Sequence, residues 1–368
     1  MSMPYRRQAR LAVIVANADP DAVTEPASRG LPAPGPRPAP RRPWRATRVS
    51  KRTKPSPADL DATIREAELT AYARYGLAPV EKIVSIASPL GPVSVRLSMF
   101  GPQDGAEPSV LLLHGIASVN VVAAPVIAAL ADRRVIAVDW PGHGLSGMSV
   151  LPPGLAFRSY TMSVLRALLD ELELDEVDIV GHSMGAQFGL YAGLDLPTRL
   201  RRLVLLGAPG ASFAGARPNA IMIAIAVPRL GARLLRIPIS PAAFVRNSEK
   251  ALGKGSLRDV PAGLITAAHL VGTRPGYAAS IASYFRALIK RATVRVAVNI
   301  SLAELATLRQ PALFVWGDQD VFMTPAQASE FLASIPHGKL VELPGAGHAP
   351  WLQCPELVGR AVADHLAG

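Results

Sequence analysis

The stretch Val177-Asp178-Ile179-Val180-Gly181-His182-Ser183-Met184-Gly185-Ala186 decides how the rest of this 368-residue chain is read. It starts as a short apolar run suited to a buried strand, and a helical pattern opens directly after it. Between the two lies Gly181-x-Ser183-x-Gly185. A turn this tight leaves no room for a β-carbon two places from the serine, so the geometry asks for glycine at both positions. The strained turn lifts the serine hydroxyl clear of the sheet. A bare G-x-S-x-G often arises by chance. The strand before it and the helix after it supply the context that makes Ser183 a candidate nucleophile.

A serine hydroxyl is a poor nucleophile at neutral pH, so a base must take its proton and a third group must hold that base in the right tautomer. His348, in Leu343-Pro344-Gly345-Ala346-Gly347-His348, follows the last expected strand, and Asp320, in Gly317-Asp318-Gln319-Asp320, follows the strand before it. Both fall at the carboxyl edge, where a doubly wound sheet places its site. The chain order Ser183, Asp320, His348 is one of the orders in which this triad occurs. Asp318 is the rival acid. His114, His143 and His182 sit in tight turns that suit bracing roles, and His337 and His365 fall in a loop and a terminal helix. His269 is a helical histidine that could line a substrate pocket.

Acyl transfer passes through a tetrahedral oxyanion that needs two fixed donors. The backbone N–H of Met184, directly after the nucleophile, is one candidate. The N–H of Ile116, in the turn His114-Gly115-Ile116, is the other.

Working outward, Val80–Ile86 and Val93–Met99 read as paired strands around Pro89-Leu90-Gly91-Pro92. Apolar runs at Val110–Leu113, Val135–Val138, Val177–Val180, Leu203–Leu206, Ala312–Trp316 and Leu340–Leu343 alternate with helical patterns. Such alternation builds a mostly parallel sheet covered on both faces, the α/β class. It is interrupted once, by an insert with no convincing strand and with helices expected around Asn219–Leu235, Pro241–Leu252, Pro261–Val271 and Tyr277–Lys290. The expected organisation is a disordered Arg/Pro-rich tail at 1–57, core at 58–207 and 301–368, and a helical insert at 208–300.

With the turn at His114-Gly115, the loop Asp139-Trp140-Pro141-Gly142-His143-Gly144, the serine elbow, the acid loop and Gly347-His348 in one order, the sequence resembles the α/β-hydrolase fold superfamily over about residues 80–368. The resemblance implies an eight-stranded, mostly parallel sheet flanked by helices and a helical cap formed by the insert. It also implies that Ser183, Asp320 and His348 meet in space, with substrate between core and cap. Dehalogenases and epoxide hydrolases of the superfamily carry aspartate where this chain has Ser183, which argues against both chemistries. Gln353 stands where many relatives carry an acid, a departure not expected to affect catalysis. The function implied is a cofactor-free, metal-free serine hydrolase acting on a small-molecule carboxylic ester. Carbon–carbon bond hydrolysis, lactone opening and perhydrolysis would use the same machinery, and a non-catalytic ligand-binding role is the reading from a different class.

The net charge of +11 needs its own account, since such an excess suggests nucleic acid or an anionic surface. Residues 1–54 hold twelve Lys/Arg against three acidic residues, residues 211–300 thirteen against two, and the remainder fourteen against twenty-three. A basic tail and a basic insert therefore accompany an acidic core, and nucleic acid is not the expected partner. The insert's charge has three readings: a basic entrance for an anionic substrate, a peripheral contact with an anionic membrane, or solvated helix faces. The tail's apolar patch, Leu11–Ala16, is shorter than the roughly 7–15 residues of a secretory signal core, and a cytoplasmic location is expected. The longest uncharged stretch, Pro108–Ala131, contains His114-Gly115, Asn120 and Pro125, so it reads as strand, turn and helix rather than a membrane span. The single cysteine, Cys354, excludes an internal disulfide. Nothing in the sequence marks an oligomeric state.

Overall fold

The computed structural model describes residues 12–15, as backbone, together with 56–103 and 108–368. Its strands are β1 (Ala12–Val15), β2 (Val80–Ile86), β3 (Val93–Phe100), β4 (Ser109–Leu113), β5 (Val135–Asp139), β6 (Val177–His182), β7 (Leu200–Leu206), β8 (Ile289–Lys290), β9 (Thr293–Val294), β10 (Ala312–Gly317) and β11 (Gly338–Leu343). The α-helices up to β7 are α1 (Pro57–Ala73), α2 (Ala124–Ala128), α3 (Phe157–Glu171) and α4 (Met184–Asp195). Between β7 and β10 lie α5 (Ala220–Ala226), α6 (Leu230–Leu234), α7 (Pro241–Leu252), α8 (Ala262–Val271), α9 (Tyr277–Leu288) and α10 (Leu302–Leu305). The last three are α11 (Ser329–Ala333), α12 (Pro350–Gln353) and α13 (Pro355–Ala367).

The main sheet runs β1-β11-β10-β7-β6-β4-β5-β3-β2. From β11 to β5 every pairing is parallel, while β3 and β2 join antiparallel at one edge and β1 at the other. The eight strands expected are thus present in an α/β arrangement. The central strands β4, β5, β6 and β10 are buried along their whole length. Covering both faces with helices is what lets Val110-Leu111-Leu112-Leu113 be apolar without alternation.

Three expectations are corrected. A tail without structure fails at Ala12–Val15, whose backbone pairs antiparallel with Lys339–Glu342. The β-branched run Val13-Ile14-Val15 suits a strand, and β11 offers it an otherwise open sheet edge. The rest of that tail lies outside the described residues, except that Ser56 and Pro57 start α1. There Ser56 Oγ accepts from the Asp59 N–H and Asp59 accepts from the Ser56 N–H, a reciprocal cap of about 1 kcal/mol. Second, one helix over 219–235 is instead two, α5 and α6, because Pro228 lacks an N–H and its ring displaces the preceding turn. Third, the insert holds a short hairpin, β8–β9, whose turn residues Arg291 and Ala292 both adopt positive φ.

Among the described residues no helix is long and apolar enough to cross a membrane.

Candidate functional site

The end of β6 delivers Ser183 with φ 51° and ψ −112°, a left-handed conformation that side-chain-bearing residues rarely adopt. The flanking glycines are required by contact. A β-carbon on Gly181 would lie 2.4 Å from the Gly185 carbonyl oxygen, and one on Gly185 would lie 2.0 Å from that of Leu113. The elbow is wedged between β4 and the start of α4.

His348 lies in the loop after β11, with its Nδ1 donating to Asp320 Oδ2 over 2.7 Å. That carboxylate also accepts the Ala208 N–H at 2.9 Å on Oδ2 and the Phe322 N–H at 3.0 Å on Oδ1. Burial alone would raise the Asp320 carboxyl, but the His348 ring and the two N–H groups outweigh it and hold the carboxyl below its ordinary value. A hydrogen bond through Nδ1 leaves Nε2 of His348 for other work. Ser183 and His348 line one cavity, and among the described residues no hydrogen bond joins their side chains. Such contacts are often loose before substrate arrives. The rival Asp318 accepts the Gly345 N–H at 2.7 Å and so braces the turn before His348 without touching the ring.

Met184 and Ile116 line the same cavity. Met184 is the first residue of α4, where an N–H has no intrahelical acceptor. Among the described residues neither its N–H nor that of Ile116 is bonded. The Ile116 loop lies close to Ser183, since a β-carbon on Gly115 would come 2.8 Å from His182 Nδ1 and 3.3 Å from Ser183 Cβ.

His114 and His182 act as braces. His114 donates from Nδ1 to the Gly115 carbonyl at 2.7 Å and accepts the Trp140 N–H on Nε2 at 3.1 Å, tying two loops together. His182 donates from Nε2 to the His348 carbonyl at 3.2 Å, and burial, with His348 nearby, pushes its pKa well down and keeps it neutral. The buried His143 packs edge-on against Tyr284. His269 bonds the Ile239 carbonyl and does not line the cavity.

The cavity encloses about 510 Å³ of empty space, part of it open to solvent, and its walls are almost wholly apolar. Phe322 and the site residues form the core side. Met222 of α5, Phe285 and Leu288 of α9, and Ile289 and Val294 of the hairpin form the insert side. Arg217 is its one charged lining residue. Sequence reasoning missed the hairpin wall, Arg217 and the contact made by Gln353, whose Oε1 accepts the Gly347 N–H at 2.7 Å beside His348. The nonstandard amide at 353 was the available signal for the last.

A model of the alpha/beta hydrolase family matches residues 110–361. The chain belongs to that family. An uncharacterized protein of Mycobacterium tuberculosis is 30% identical to this hydrolase-family chain over 261 residues, 68% of this chain and 73% of the relative. The pimeloyl-[acyl-carrier protein] methyl ester esterase of Xanthomonas campestris is 28% identical over 268 residues, 72% and 96% of the two chains. Among solved structures, carboxylesterase CesB of Bacillus subtilis superposes with a TM-score of 0.64 at 19% identity, covering 84% of this chain and 99% of that one. At that identity the likeness is one of fold.

Proposed function

We propose that this alpha/beta hydrolase cleaves a carboxylic ester through an acyl-enzyme on Ser183. The observation that carries the reading is the His348–Asp320 pair closed at 2.7 Å beside a serine elbow, on the floor of an apolar cavity. In the proposed sequence Nε2 of His348 takes the Ser183 proton as Oγ attacks the ester carbonyl carbon. Asp320 holds the tautomer and stabilises the imidazolium that forms. The negative charge on the carbonyl oxygen falls to the Ile116 and Met184 N–H groups. The carbon–oxygen bond then breaks, and His348 returns its proton to the departing alcohol. Water repeats the cycle on the acyl-enzyme and releases the acid. No step draws on a cofactor. In this reading the helices between β7 and β10 act as a cap, and the apolar walls they add favour an aliphatic or aromatic acyl group.

The test is a panel of p-nitrophenyl esters of increasing acyl length, with Ser183→Ala as the blank. Wild type is expected to exceed the blank on every short ester. Equal rates for the two would remove the serine mechanism, and measurable turnover also rules out a purely binding role.

A second reading is favoured by Arg217, whose exposed side chain borders the cavity and has no ion-pair partner among the described residues. It suits a substrate with a carboxylate, on which carbon–carbon hydrolysis, lactone opening or perhydrolysis would use the same triad. Arg217→Gln is then expected to raise KM for anionic esters and leave neutral ones unchanged.

A further inference from the structure

The outer surface of α5 and α6 is unlike any other part of the described molecule. Six of its thirteen exposed large hydrophobic side chains, Ile221, Val227, Leu230, Leu234, Ile237 and Ile239, lie within this one short segment. Ile221 is 54% exposed and Ile237 59%. Soluble surfaces scatter such side chains singly, so their concentration needs an explanation. The same region is strongly basic. Arg217, Arg229, Arg233, Arg236 and Arg246 are all exposed, and residues 211–248 contain no aspartate or glutamate. None of the five has an ion-pair partner among the described residues.

The two helices pack on each other and on α9. Their inward side is spoken for: Ile225 and Gly231 are buried, and a β-carbon on Gly231 would meet the Ile225 carbonyl oxygen at 1.8 Å. Met222 faces the catalytic cavity while its neighbour Ile221 faces out. The aliphatic surface is therefore the back of the cavity wall, left open after the fold has buried what it can.

We propose that this α5–α6 face docks on an anionic lipid surface, its aliphatic side chains entering the headgroup region and its arginines meeting lipid phosphates. Charge decides between occupants. A second copy packed face to face would set Arg229, Arg233 and Arg236 against their own counterparts, which like-charge repulsion disfavours. The chain's own tail, with twelve basic and three acidic residues in 1–54, has the same sign. Nucleic acid would match the charge, yet aliphatic side chains offer its bases no stacking surface. A bilayer with anionic headgroups satisfies both the charge and the apolar contact. The inference does not depend on the ester reading.

The experiment is co-sedimentation of the full chain with vesicles of phosphatidylcholine alone and of phosphatidylcholine with phosphatidylglycerol, at low and high salt. Two variants accompany it: Arg229→Glu/Arg233→Glu/Arg236→Glu and Ile221→Ser/Leu234→Ser/Ile237→Ser. Neither touches a cavity-lining residue, so the rate on a short water-soluble ester reports an intact fold. Wild type is expected to prefer the anionic vesicles, and the arginine variant to partition about a hundredfold less onto them. The serine variant should lose the part of the binding that survives high salt. Equal binding to both vesicle types, or variants that sediment like wild type because the tail does the binding, would overturn the proposal. So would a concentration-dependent dimer abolished by the same substitutions. Should a triple variant fail to fold, the salt and lipid dependence of wild type with Arg233→Glu alone decides. Absence of ester turnover in wild type would count against the hydrolase reading and leave the docking result standing.

Discussion

The sheet and the insert treat positive charge in opposite ways. On the core side six arginines, Arg65, Arg96, Arg133, Arg158, Arg199 and Arg201, are drawn into ion pairs. Arg96, only 3% exposed, sits 2.7 Å from Glu68, 2.9 Å from Glu81 and 3.2 Å from Asp139. Arg158 holds Asp195 and Glu304, Arg199 holds Asp170, and Arg201 holds Asp178. In the insert only Arg274 forms an ion pair with a described residue, and it does so with Asp61 of α1 rather than with the insert itself. An acidic excess in the core supplies partners, and the insert has almost none to supply. Charge that is internal to the fold holds elements together, whereas charge left unpaired around a site is free to meet something from outside.

The same contrast separates the chemistry from the surface, and the largest expected effects fall where groups are paired. Losing either Ser183 or His348 to alanine should lower turnover by about 10⁶-fold, as for other triads whose members act as a unit. Asp320→Asn should cost about 10⁴-fold, because the amide favours the wrong imidazole tautomer. A steady-state assay on a short p-nitrophenyl ester measures both, and an Asp320→Asn enzyme near wild-type rate would hand the acid's role to Asp318.

Next in size is the pairing itself. Arg96→Ala should cost about 3–5 kcal/mol in urea unfolding, because it strands buried carboxylates. Arg233→Ala, on the exposed insert face, should fall within about 0.5 kcal/mol of wild type. Equal effects would erase the distinction between the two regions.

A pH experiment sharpens the core side. Burial raises the Glu68 carboxyl from 4.5 to about 7, with Asp139 and Glu81 adding to it and Arg96 opposing. The unfolded chain then gives up this proton at lower pH than the folded one. Glu68 therefore stabilises the fold fully below pH 4.5 and progressively less as pH rises through about 7. Glu68→Gln should flatten the decline of Tm across that window; an unchanged slope would place the titration elsewhere. The smallest effect expected is that of Gln353→Ala, which frees the Gly347 N–H beside His348. It should lower kcat several-fold with KM and Tm little changed, whereas a parallel loss of Tm would mark a structural role only.

The elements that sequence reading captured best are those whose burial leaves a local trace. Strands buried on both faces are apolar along nearly their whole length, so β4, β5 and β10 stand out, and of the elbow glycines Gly181 is forced by Gly185 four positions on, whereas Gly185 is forced by Leu113 of the neighbouring strand β4. What escaped is set by distant partners. β1 is a four-residue run in a proline-rich setting, and its strand character depends on the edge of β11 at the far end of the chain. The β8–β9 hairpin turns through Arg291 and Ala292 rather than glycine, so its turn has no compositional mark. Pro228 was legible as a break but lay inside an apolar run that reads as one helix. At the site, Asp318 and Asp320 differ by two positions in sequence, and only the loop's path shows that Asp320 reaches His348. Arg217 was one of thirteen basic residues in the insert until the cavity gave it a place.

The most direct test of the account is labelling with a fluorophosphonate followed by intact-mass and peptide mass spectrometry. A single phosphonyl adduct is expected, mapped to Ser183, absent from Ser183→Ala and strongly slowed in His348→Ala. An adduct on another residue, or equal labelling of wild type and Ser183→Ala, would contradict it.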